Sequence, residues 1–198
     1  MENKKQIEIL KAAETEFLSR GFEGARMDNI AHLAGVSKRT MYKYYSSKQI
    51  VYDALLSWIF AKIRVKLNYP FDAALPFEEQ FAQVLEIKIN LCKSDYLIKV
   101  AKLMALNQIK QGDCSSSFVK QFSQNQQQFE TWAQLCQDCG FLTTDFSAEE
   151  ISCYFHSLID GFFMWPLILG QKKHLTERDY IRGKELIKVG FIHTFGES

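Results

Sequence analysis

Ile30-Ala31-His32-Leu33-Ala34-Gly35-Val36-Ser37-Lys38-Arg39-Thr40-Met41-Tyr42-Lys43-Tyr44-Tyr45-Ser46-Ser47-Lys48 is the stretch that decides how this chain is read. Its pattern describes two short helices crossing at a tight turn. Ala31 and Ala34 are small enough to let the helices approach closely. Gly35 accepts the positive φ that ends the first helix. Ser37 is a good N-cap for the second. Val36, Met41 and Tyr45 can turn back against Leu10, Phe17 and Ile30, which leaves Lys38, Arg39, Tyr42 and Lys43 on the other side. A short helix with a basic, aromatic outer face suits contact with phosphates and base edges.

Working outward, the spacing predicts helices throughout. A first helix runs from Lys4 to Arg20, with Leu10, Ala13 and Phe17 on one face and Gly21 as its stop. The two helices of the motif follow, from Met27 to Ala34 and from Ser37 to Tyr45. Ser47 caps a long fourth helix to Leu67. Residues 68–76 form a connection, and Pro76 with Glu78 and Glu79 starts a helix that reaches Lys93. Further helices cover Tyr96 to Lys110 and Ser117 to Cys139. Ser147 with Glu150, and Thr176 with Asp179, are capping boxes that open the last two. The first of these is expected to bend or end near Pro166. The expected fold is all-α, with about nine helices and no strand: an N-terminal domain over 1–50 and a larger C-terminal domain over 51–198.

The segment from about residue 6 to 52 resembles the DNA-binding domain of TetR-family regulators. The resemblance is carried by Gly21-Phe22, Ile30-Ala31, Ala34-Gly35-Val36-Ser37, Thr40-Met41-Tyr42, Tyr44-Tyr45 and Ser47-Lys48, in that order and spacing. It implies a helix-turn-helix whose contacts with double-stranded DNA come from Arg26, Ser37, Lys38, Arg39, Thr40, Tyr42, Lys43, Tyr44 and Lys48. Lys38, Arg39, Thr40 and Tyr44 would meet base edges or adjacent phosphates, while Tyr42 and Lys48 would grip the backbone. Two positions depart from the pattern. Arg26 stands where a Thr or Ser normally caps the first short helix, and Asn29 stands where an acid is common.

Charge distribution agrees with that picture. The whole chain carries only +1, but residues 1–50 hold nine Lys/Arg against six Asp/Glu. A modestly basic head on a slightly acidic body suits a DNA-binding module joined to something else. No apolar run reaches the 18 or so residues of a membrane span, no signal peptide is visible, and five irregularly spaced cysteines suit a reducing, cytoplasmic setting. Cys136 and Cys139 form a CxxC with no second pair to complete a zinc site, so packing thiols are expected and redox sensing is the sharper alternative. No metal or cofactor is expected. An enzyme reading lacks a nucleophile–base pair or phosphate loop. A non-DNA-binding interaction protein is opposed by the basic face of the motif.

Aromatic residues crowd the body. They describe a helical core, and the resemblance implies a small-molecule effector pocket among helices four to eight. Trp58, Met104, Phe129, Trp132 and Phe162 are its candidate residues. The last two helices carry apolar stripes, and Tyr154, Leu158, Gly161, Tyr180, Ile187 and Phe191 are the candidate homodimer interface. The expectation is a ligand-responsive regulator, a repressor that binds a palindromic operator as a dimer and is released by a small, largely apolar effector.

Overall fold

The structure, a computed structural model, describes residues 4–111 and 116–196, and the side chains among them except those of 111, 116–123 and 125. The described residues form α1 (Lys4–Gly24), α2 (Met27–Leu33), α3 (Lys38–Tyr44), α4 (Lys48–Lys66), α5 (Phe77–Cys92), α6 (Asp95–Gln111), α7 (Ser116–Asp138), α8 (Ala148–Ile159), a π turn (Asp160–Met164), α9 (Trp165–Ile168) and α10 (Glu177–Phe195). The chain is all-α, as the periodicity predicts. The one bridge outside the helices among the described residues joins Leu142 to Gly196, with Thr143 N–H donating to the Phe195 carbonyl. None among the described helices is long and apolar enough to cross a membrane.

Two compact units emerge, Met1–Ile63 with Lys99–Gln121, and Arg64–Ile98 with Phe122–Ser198. In the first, α1 turns Ile9, Leu10, Ala13 and Phe17 inward, all wholly buried. They meet Ile30 and Ala31 of α2, Met41 of α3, and Val51, Tyr52, Leu55 and Leu56 of α4. Phe17, Phe22 and Tyr52 form a ring triad with centroids 5.1–5.9 Å apart. Helix α1 overruns its expected end by four residues, because the chain resumes a helical turn after Gly21. The break itself falls at Gly21, where φ is 68°.

The second unit is built on stacked aromatics. Phe129 of α7 lies face to face with Phe155 of α8 at 4.0 Å, and Phe81 of α5 with Phe191 of α10 at 4.3 Å. Trp132 completes this core and donates its indole N–H to the Pro70 carbonyl at 3.1 Å. Gln80 fixes the preceding connection, accepting from Asp72 N–H and donating to the Leu75 carbonyl. Such pairs add roughly 0.5–1.5 kcal/mol each beyond the area they bury.

Pro166 shapes the end of α8 as expected, by a specific device. The residues before it widen into a π turn, with Trp165 N–H bonded to the Asp160 carbonyl. Pro166 then sits in the first turn of α9, where its missing N–H costs nothing. Both expected capping boxes are present: Ser147 with Glu150, and Thr176 with Asp179. Phe146 is exposed and meets Phe195 edge-on at 6.0 Å.

Hydrogen bonds from Ser147, backbone first, hold the Glu150 carboxyl below its ordinary pKa. A folded-state pKa below the unfolded one adds stability above the unfolded value of about 4, and that stability is lost as pH falls. Ser147→Ala is therefore expected to cost about 1 kcal/mol by urea unfolding at neutral pH. Glu150→Gln is expected to flatten the fall in thermal midpoint between about pH 5 and pH 2 relative to the unsubstituted chain.

Candidate nucleic-acid interface

Helix α3 buries Met41 completely, and its C-cap Tyr45 is buried as well. Ser37 caps it, accepting from Thr40 N–H at 3.1 Å, with the two hydroxyls 2.9 Å apart. Gly35, at φ 64°, makes the crossing from α2 possible. Lys38, Arg39, Tyr42 and Lys43 are all exposed, and Tyr42 keeps 49% of its surface. Thr40 and Tyr44 are half-buried, with Tyr44 lying against the first core. The outer face expected from the sequence is the outer face of the helix.

Two of the expected contact residues already hold protein partners. The Lys38 ammonium lies 2.6 Å from Asp28 of α2, and that hydrogen bond, with the carboxylate's charge, raises its pKa. Lys48 donates to the carbonyls of Glu23 and Ala25 at 3.1 and 3.4 Å and stands 4.7 Å above the Phe22 ring. It therefore closes the end of α1 on the start of α4.

Glu16 is the residue that sequence reasoning missed. Its side chain, only 5% exposed, accepts from Arg26 N–H at 3.2 Å and from the Asn29 amide at 3.0 Å, with Arg20 Nε at 3.5 Å. Arg26 makes no side-chain cap, so a carboxylate from α1 takes over at the start of α2. This accounts for both departures from the family pattern. Arg26 need not cap, and Asn29 must be a donor, because an acid there would face the buried Glu16 charge. An acid at i and an Asn thirteen residues on form no local motif, which is why the pair is silent in the sequence.

The body candidates are divided between the two units. Trp58 and Met104 flank the first core, and Lys62 lies 3.0 Å above the Trp58 ring. Phe129 and Trp132 belong to the second core. Phe162 is corrected: the π turn sends Phe163 inward and leaves Phe162 at the surface, 37% exposed. An open cleft of about 360 Å³ is lined by Arg64, Gln124, Gln127, Gln128 and Thr131, none of them a candidate.

Among the candidate interface residues, Ile187 and Phe191 are also corrected. Both are wholly buried in their own chain, since α10 turns that stripe onto α5 and α8. Tyr180 stacks on Phe163 at 5.5 Å, and Tyr154 meets Phe195 at 5.0 Å. Leu158 is half-buried, and Gly161 is exposed. The exposed apolar face of α10 is the other one, Ile181, Leu186 and Val189, and Trp165 and Leu169 are exposed nearby in sequence. Cys136 is buried and Cys139 exposed, both as free thiols.

Residues 9–55 match the family model of bacterial regulatory proteins, tetR family. The head of the chain is thus similar to the N-terminal domain of TetR-family regulators. It is 30% identical over 89 residues to the uncharacterized HTH-type transcriptional regulator YhgD of Bacillus subtilis (strain 168), covering 45% of this chain and 47% of that one. It is 38% identical over 84 residues to the HTH-type transcriptional regulator RutR of Escherichia coli (strain K12), covering 42% and 36%. The matched stretch thus spans less than half the length of either relative. Likeness to solved structures over the whole chain is a likeness of fold. A TetR family transcriptional regulator from Pseudomonas syringae pv. tomato str. DC3000 superimposes with a TM-score of 0.79 at 23% identity, covering 100% of both chains.

Within this TetR-type head, Glu16→Ala leaves two part-buried donors without their acceptor, a loss of roughly 1–3 kcal/mol. Hydrogen exchange is expected to accelerate first at residues 27–33. Protection in α2 equal to that of the unsubstituted chain would show that Glu16 is not its anchor.

Proposed function

We propose that this chain is a ligand-responsive transcriptional repressor that binds a palindromic operator as a homodimer and is released by a small, largely apolar effector. One observation carries the DNA half of the reading. A seven-residue helix hides Met41 and presents Lys38, Arg39, Tyr42 and Lys43 together to solvent. A rod of that width fits the major groove, where a bidentate Arg39 can read guanine and the lysines meet phosphates. In this reading residues 1–50 are the DNA-binding head and 51–198 the effector and dimerisation part. Ser37 and Thr40 approach the backbone from the cap, Arg26 precedes α2, Tyr44 ends α3, and Lys48 acts through the α1–α4 closure. The setting is the cytoplasm, where the DNA and the free thiols both fit.

Asp28 tunes this face. Lys38 must exchange its carboxylate partner for a phosphate, which sets the cost of binding by that side chain. The effector acts by linkage: it weakens DNA binding only through its preference for a conformer whose heads are wrongly spaced for the operator.

The dimer half rests on Ile181, Leu186 and Val189, an exposed apolar face of α10. A two-fold axis would pair this face with its copy.

Fluorescence anisotropy with duplexes from the region flanking its own gene tests the DNA half. Replacing Lys38, Arg39 and Lys43 by Ala is expected to abolish specific binding and to lower the salt slope by about 2–3. Arg39→Ala alone is expected to relax base preference by about 1–3 kcal/mol at one position. Equal binding by the triple variant would overturn the assigned face. For the dimer, sedimentation is expected to show Val189→Glu as a folded monomer, whereas Ile187→Glu is expected to unfold. A dimeric Val189→Glu protein would place the interface elsewhere.

A further inference from the structure

The aromatic core of the second unit also holds a cluster of polar side chains. Lys88 lies on α5, one turn before Cys92. His156 near the end of α8 and Asp160 at the start of the π turn are likewise one turn apart. The Lys88 charge acts on both His156 and Asp160, and Asp160 and Cys92 act back on it. The cluster sits among rings. His156 stands edge-on to Phe129 and Phe155 at 5.7 and 5.3 Å, and Tyr69 stands edge-on to Phe129 at 5.8 Å.

This cluster is incompletely satisfied. The His156 Nδ1 lies 2.8 Å from the Ser152 carbonyl, which can only accept, so Nδ1 carries the proton. Nε2 is then a bare acceptor, buried and without a partner, and the buried Tyr69 hydroxyl is also without one. Burial, with the nearby Lys88 charge, pushes the imidazole down to about 3, so it stays neutral. Among the described residues no carboxylate lies within ion-pair distance of the Lys88 ammonium. Asp160 acts on it only from further away, and burial raises the Asp160 pKa. Lys88 itself is half-buried, and burial lowers its pKa. A partly desolvated amine, a bare acceptor and an idle hydroxyl in one aromatic core are what a polar ligand group would satisfy.

We propose that Lys88, His156 and Tyr69 form the polar end of the effector site and select a small monoanion, such as a carboxylate, that also carries a hydrogen-bond donor on an apolar body. This rests on the effector reading above. One carboxylate oxygen pairs with the Lys88 Nζ, and the Tyr69 hydroxyl donates to the other. The ligand's own O–H or N–H donates to His156 Nε2, whose lone pair repels a second carboxylate. The apolar body lies against Phe129 and Phe155. Dianions are disfavoured because a single amine faces them.

The test uses the full chain and a panel of hydroxy- and amino-substituted aromatic and medium-chain aliphatic monocarboxylates, each beside its methyl ester. Binding is read by tryptophan fluorescence, since Trp132 lies 5.4 Å from Phe129, and by thermal midpoint. At least one acid is expected to bind about tenfold or more tightly than its ester, with that preference lost in Lys88→Met and partly kept in Lys88→Arg. Lys88→Met removes a half-buried polar group and keeps the side-chain length, so it is expected to fold, and retained ester binding confirms that it has. Esters that bind as tightly as their acids, or acid affinity unchanged in Lys88→Met, overturn the polar end and leave the effector reading standing. If neither acids nor esters bind, both fall.

Discussion

Met41 is the contact on which the DNA-facing part of this molecule depends. A helix of seven residues is far too short to persist in water by its own hydrogen bonds. Helix α3 exists because Met41 is driven into a core made by Phe17, Ile30, Tyr52 and their neighbours, with Tyr45 buried just beyond its end. One inward knob on so short a rod leaves most of its circumference outside. Evolution can vary Lys38, Arg39, Tyr42 and Lys43 without touching the fold, and whatever stands there is held rigidly. Glu16 does for α2 what Ser37 does for α3: each satisfies donors at a helix start, so the two helices meet at a fixed angle across Gly35.

The second unit obeys a different economy. Its stability comes from rings stacked at close range, Phe129 on Phe155 and Phe81 on Phe191, with Trp132 tied to the backbone at Pro70. A core of this kind tolerates few polar atoms. The group around Lys88, His156, Asp160 and Tyr69 is therefore conspicuous on energetic grounds, because each member would be cheaper as a hydrocarbon. In the proposed effector reading, unsatisfied polar groups within an apolar core would supply the differential affinity by which a ligand changes the preferred conformer.

Much of the head was legible in the sequence because its signals are local. Gly35, the Ser37 cap and the outward set Lys38, Arg39, Tyr42 and Lys43 follow from spacing alone, as do the Ser147–Glu150 and Thr176–Asp179 boxes and the effect of Pro166. Glu16 was not legible, since its partners lie ten and thirteen residues away on another helix. The commitments of Lys38 to Asp28 and of Lys48 to the end of α1 are tertiary in the same sense. Helix α10 carries two apolar stripes, and periodicity does not say which faces home; Ile187 and Phe191 do, and Ile181, Leu186 and Val189 do not. Phe162 was misplaced because a π turn shifts the register by one residue, which no count at 3.6 residues per turn anticipates.

The central claim is that α3 is the surface that meets DNA. Amide chemical shifts recorded while the full chain is titrated with a duplex from beside its own gene test it directly. The account predicts the largest changes at residues 37–44, with smaller ones at 26–29 and near Lys48, and none of comparable size at 144–196. Large changes confined to the second unit, with α3 unmoved at saturation, would contradict it.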